Sequence, residues 1–160
     1  MTAATRLKEY RETGEKKAEP VNKGSLSANL LELAQCENPE SQKKMIFAML
    51  ADAIGQMDFL GSRVFVATYI TPQKKGSIWM PEKKIDASRF EGKCGLVLML
   101  GPSAFKYDGA WPYEGPKPKV GDWIQYRASD AREFGFCDVY CREIEDHLVK
   151  AIVKDPSKIW

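Results

Sequence analysis

Histidine occurs once, at position 147, and neither G-x-x-x-x-G-K-[S/T] nor G-x-G-x-x-G appears anywhere in the 160 residues. Neither of the familiar glycine-rich phosphate cradles is therefore available. A long apolar run is missing too: no stretch approaches the roughly 20 residues that span a bilayer. Residues 1–17, MTAATRLKEYRETGEKK, have no apolar centre of the kind a secretory signal needs. Charge of one sign is also scarce. The 24 Lys and Arg stand against 22 Asp and Glu, for a net charge of +2. That balance marks neither a nucleic-acid nor a membrane partner. The expected compartment is the cytoplasm, where thiols stay reduced. The four cysteines, Cys36, Cys94, Cys137 and Cys141, are then expected to be small buried apolar groups. No cofactor, no metal and no enzymatic activity is expected.

What is present comes in three parts. Residues 1–24 hold few apolar side chains, Leu7, Tyr10 and Val21 among them. Such a segment buries too little surface to offset its ordering entropy, so it is expected to be a disordered arm. Leu26, Leu30, Leu31 and Leu33 suggest a short helix over 25–35. The next helix signal is stronger. Asn38 is a good N-cap, Pro39 suits the first helical position, and Glu40 sits where the helix dipole favours it. Met45, Ile46, Met49, Leu50, Ala53 and Ile54 then recur on one face, and Gly55 offers a C-cap. This predicts an amphipathic helix over 39–54, packed within its own assembly. After Gly61 the pattern changes to short strands separated by Gly/Pro turns. They are expected at 63–70, 96–100, 122–127, 134–144 and 148–153. Together they predict a mainly β fold, barrel or sandwich. The division falls into an N-terminal extension over 1–57 and a β domain over 58–156.

The stretch 74–99, KKGSIWMPEKKIDASRFEGKCGLVLM, is the one with functional character. Ile78, Trp79 and Met80 form an apolar triplet between polar flanks and are stopped by Pro81. Three residues are too few to organise a core, but enough to form a cluster that another protein buries. In an extended chain Ile78 and Met80 point to one side and Trp79 to the other.

Other constellations weigh less. Cys137 and Cys141 would share a face of one strand over 134–144, with His147 following. Four strand residues span about 13 Å, too far for one metal. His147 follows Glu143, Glu145 and Asp146, which reads as a solvated acidic turn with no nucleophile in view. Lys117 and Lys119 with Tyr107, Trp111 and Tyr113 offer stacking rings for single strands. Three prolines in 103–121 point instead to a roof or a subunit contact.

Five segments occur in a familiar order: Arg63-Val64-Phe65-Val66, then Gly76-Ser77-Ile78-Trp79-Met80-Pro81, then 92–101, then Val120-Gly121-Asp122-Trp123-Ile124, and finally 146–153 with Ala151-Ile152-Val153. Over residues 58–154 the chain resembles the GroES-like co-chaperonins (chaperonin 10). The resemblance implies a GroES-like irregular β-barrel carrying an N-terminal arm and amphipathic helix. It implies a mobile loop over 71–91, bracketed by Gly76 and Gly92, whose triplet Ile78, Trp79, Met80 binds a large chaperonin ring. It also implies a homo-oligomeric ring in which first and last strands of neighbouring copies pair, placing Arg63, Val64, Val66, Ile152 and Val153 at the subunit interface. The sequence departs from the family at Ser77, where a second glycine is usual, and in its 60 or so residues ahead of the first strand. Residues 126–130, YRASD, are similar to phage-encoded versions of the fold. Two functions follow: a non-enzymatic co-chaperonin assisting a viral protein, or a virion protein that reuses the barrel against a capsid protein.

Overall fold

The computed structural model describes residues 28–106 and 115–159. The expected arm over 1–24 and the aromatic roof residues Tyr107, Trp111 and Tyr113 lie outside the described residues. Helix α1 spans Ala28–Gln35 and helix α2 spans Pro39–Leu50. Asn38 caps α2 as its side chain predicts: its backbone is extended, and Oδ1 accepts from the Ser41 N–H at 2.8 Å. The far end differs from expectation. The α-helix ends at Leu50, not residue 54, and Gly55 is not its cap. Hydrogen bonds switch there to the tighter i→i+3 pattern, Ala53 N–H to Leu50 O and Gln56 N–H to Ala53 O. A single 3₁₀ turn, Ile54–Gln56, follows. Among the described residues no helix is long and apolar enough to cross a membrane.

The fold is mainly β. Strands β1 (Arg63–Thr68), β2 (Lys74–Lys75) and β3 (Ile78–Trp79) precede helix α3 (Glu82–Glu91). Strands β4 (Cys94–Leu100), β5 (Trp123–Gln125), β6 (Arg132–Phe136), β7 (Val139–Glu145) and β8 (Ala151–Val153) follow. Six of these form one antiparallel sheet in the order β6-β7-β1-β4-β5-β8, and β2 and β3 form a separate hairpin. Two expectations are corrected here. The single strand expected over 134–144 is the hairpin β6–β7, turned at Cys137-Asp138, where φ is +49° and +60°. Positive φ at both central residues is the twist-matched two-residue turn. The segment 71–91, expected as one mobile loop, contains the β2–β3 hairpin and ten residues of helix.

β1 is the centre of the sheet. Its residues pair with β4 on one side, Val64 opposite Leu100, and with β7 on the other, Val64 opposite Ile144. Both of its edges are taken, so it has none to offer a neighbouring copy. Val64 and Val66, expected at a subunit interface, are fully buried core residues. Side chains alternate to two cores, as strand geometry demands. Phe65, Ala67, Leu96, Leu98, Trp123 and Cys141 belong to one. Val64, Val66, Val97, Ile124, Tyr126 and Ile144 belong to the other.

The helices cover the first of these faces. Leu30, Leu33, Ile46 and Leu50 are fully buried in the same cluster as Phe65, Ile70 and Leu96. Phe59 stacks on Phe65 at 4.8 Å. Gln42, fully buried, fastens helix to sheet: its Nε2 donates to Leu33 O at 3.2 Å and Ile70 O at 3.0 Å, and its Oε1 accepts from Ile70 N–H at 3.0 Å. The change near residue 57 is therefore a change of secondary structure within one packed unit.

Candidate partner-binding site

The hairpin carries the triplet. Gly76 takes φ +64° at the first of two central turn residues, the requirement of a type II′ turn that glycine meets without strain. Lys74 then stands opposite Trp79, and Lys75 opposite Ile78. Ile78 and Trp79 are each 65% exposed, unusual for side chains of their size. The Lys74 ammonium lies 5.8 Å from the centre of the Trp79 ring, close enough for a cation–π contact. Ile78 and Met80 line a cavity of about 410 Å³ together with Tyr69, Thr71 and Cys94. Met80 is half-buried and packs on the main core. The triplet is thus an exposed pair, Ile78 and Trp79, followed by an anchor, Met80.

The segment is tied down at several points. Gln73 N–H donates to Ala34 O of α1 at 2.6 Å, and Gln73 O accepts from Met80 N–H at 2.8 Å. Lys75 Nζ donates to Ser157 O at 3.1 Å. Thr71 N–H donates to Ser88 Oγ at 3.2 Å, which ties the strand side of the segment to α3. α3 has little apolar pattern of its own: only Ile85 and Ser88 are buried. Its C-terminal end is held from outside by Arg142, whose guanidinium donates to the carbonyls of Arg89, Phe90 and Gly92 and to Glu133 Oε1 at 2.9 Å. A buried cation at that end also complements the helix dipole. Arg89 donates to Tyr140 Oη and adds a further bond between α3 and β7.

The remaining expected residues separate. Arg63 is exposed and pairs with Glu143 and Glu145 of β7 at 3.7 and 3.6 Å. Ile152 and Val153 lie in β8, which ends the strand order. Ile152 is 36% exposed, while Val153 is half-buried against the core. Reading the sequence alone misses Leu60, 75% exposed just before β1, and Val120 and Phe90, each about half exposed. No periodicity distinguishes them, because exposure at a strand entrance depends on what packs nearby.

His147 Nδ1 lies 3.8 Å from Asp146 Oδ1. Glu145, Asp146 and His147 bring their donor atoms within 4.8 Å. The carboxylates already have structural bonds. Asp146 accepts from Phe105 N–H and His147 N–H, and Glu145 accepts from Ser62 Oγ. The cysteines do not gather either. Cys137 is exposed at the β6–β7 turn, whereas Cys141 is buried within β7. Burial, aided by the nearby Cys137, pushes the Cys141 thiol up to about 12, and burial pushes Cys94 up to about 11. A thiol held protonated is a poor nucleophile. Alkylation of the folded protein at neutral pH is expected to modify Cys137 first and to leave Cys94 and Cys141 unmodified until the chain unfolds. Peptide mass mapping reads the order; early labelling of Cys141 would contradict the burial shown here.

No protein-family model and no curated protein sequence matches the chain.

Proposed function

We propose that the chain is a non-enzymatic lid of the GroES-like kind, an irregular barrel whose copies form a ring and cap a large chaperonin through the β2–β3 hairpin. The observation that carries this reading is the exposed pair Ile78 and Trp79 at the end of a tethered hairpin. Each large apolar side chain contributes roughly 1.5–3 kcal/mol when a partner buries it. The tethers lower the ordering cost of binding. One hairpin still binds weakly, and several in a ring gain by avidity. Among the described residues β8 pairs on one side only, and with Ile152 exposed it supplies an edge for a neighbouring copy. On this reading the lid works in a host cell's cytoplasm, on a viral client.

The test is a chaperonin-ring binding and refolding assay. Ile78→Ser combined with Trp79→Ser removes roughly 3–6 kcal/mol of contact per hairpin, a loss of about a hundredfold or more in affinity. Wild-type protein that neither binds the ring nor supports refolding would end this reading. The tethering itself favours a second reading, a virion protein that uses the same hairpin against a capsid neighbour, since a lattice contact gains from a fixed stance. Mass spectrometry of purified particles decides it: absence of the chain from virions removes that reading.

A further inference from the structure

A second surface is built where three adjacent strands of the sheet meet at one end. The register puts Cys94, Gln125 and Ala151 side by side across β4, β5 and β8. One step beyond them, Tyr126 N–H donates to Lys93 O at 2.9 Å and Lys150 N–H donates to Gln125 O at 2.8 Å. Lys93, Tyr126 and Lys150 therefore stand in a row, with Arg127 next along the chain. They line a shallow cleft of about 490 Å³ with Gln125 and Ser129, and among the described residues no carboxylate lines it. Lys93, Arg127 and Lys150 are all exposed, while Tyr126 is buried and floors the cleft. Among the described residues, neither Arg127 nor Lys150 forms a salt bridge. Three cations so gathered raise a local positive field on a chain whose net charge is only +2.

We infer that this cleft docks an acidic peptide segment of a partner protein, with carboxylates set against Lys93, Arg127 and Lys150 and apolar side chains along the lysine stems. The aliphatic stems of the lysines suit such a mixed segment, because they pack apolar groups while their ammoniums meet the charges. Nucleic acid fits less well: the ring that a base would stack on, Tyr126, is only 2% exposed. Lys93 also borders the cavity beneath the hairpin. A partner seated on Ile78 and Trp79 thus continues onto the cleft, so the docked partner combines an apolar contact with a neighbouring acidic one. Binding by the cleft is a property of this chain and is measurable without that partner.

The experiment titrates the full chain with a capped glutamate-rich peptide carrying leucines, followed by amide shifts and by fluorescence anisotropy. Shifts are expected at Arg127, Ser129 and Lys150. Affinity is expected to fall by about tenfold or more from low to high salt, as for an exposed charge contact. The pair Arg127→Glu and Lys150→Glu is expected to abolish binding, and the milder pair Arg127→Gln and Lys150→Gln to weaken it, both with unchanged circular dichroism. Absence of peptide binding at low salt overturns the proposal, as does equal binding by the reversed-charge variant. A single-stranded oligonucleotide that binds more tightly than the peptide overturns it in favour of nucleic acid. A changed oligomeric mass in the charge variants overturns it in favour of a contact between copies. Loss of ring binding by the hairpin variant, with peptide binding intact, separates the two sites.

Discussion

A chain that begins at residue 58 is expected to remain unfolded. Residues 58–159 contain all eight strands, yet one side of the six-stranded sheet is finished by α1 and α2. Leu30, Leu33, Ile46 and Leu50 are between 0 and 2% exposed within the cluster that includes Phe65, Ile70 and Leu96. Four such side chains contribute roughly 6–12 kcal/mol by burial. Whole domains are stable by only about 5–15 kcal/mol. The truncation also strips Ile70 of the Gln42 side chain that satisfies both its N–H and its C=O. Circular dichroism and dye binding should report a collapsed, non-cooperative state; a sharp melting transition in the fragment would show that the sheet is a separate domain. Gln42→Leu isolates the polar part. It removes the side chain that serves the buried N–H and C=O of Ile70, at about 1–3 kcal/mol for each group orphaned, while Leu33 O keeps the Cys36 N–H.

Arg142→Met is expected to cost about 3–5 kcal/mol in denaturant unfolding. Arg142 is fully buried, and its guanidinium serves three carbonyls at the end of α3 as well as Glu133. The substitution fills the space but supplies no donors. Arg142→Lys should recover only part of the loss, because a single ammonium does not match the planar fork that reaches several carbonyls at once. Glu133→Gln separates the two roles. Glu133 is 45% exposed, so its ion pair contributes less than about 1 kcal/mol. Equal losses for Arg142→Met and Glu133→Gln would show that the ion pair dominates and that capping of α3 is incidental. Because α3 holds Thr71 through Ser88, Arg142→Met should also loosen the hairpin and weaken partner binding at Ile78 and Trp79.

Much of the layout is legible in residue types. Asn38 and Pro39 mark the start of α2, and the Val/Phe/Thr run marks β1. The apolar triplet with its polar flanks marks the hairpin. What escapes has physical causes. The β6–β7 turn uses Cys137-Asp138, whereas the usual signal for two positive φ angles is Asn-Gly, so two strands read as one. α3, with the sequence EKKIDASRFE, shows no apolar stripe, and periodicity has nothing to detect. It is held instead by Arg142, which lies 50 residues beyond Gly92, whose carbonyl it caps.

Residue types and their spacing are enough to specify a mainly β chain with helices ahead of the strands and one apolar triplet, Ile78-Trp79-Met80, too small to be a core. Those properties follow from local spacing and composition, which act over a few residues. That β1 is interior rather than an edge, and that α1 and α2 complete the core, emerges only from the packed chain. So does the inward turn of Met80 while Ile78 and Trp79 stay out, and the convergence of Lys93, Arg127 and Lys150. Each of these depends on pairing between residues distant in the chain, where strand register and burial, not local preference, set which side chains meet.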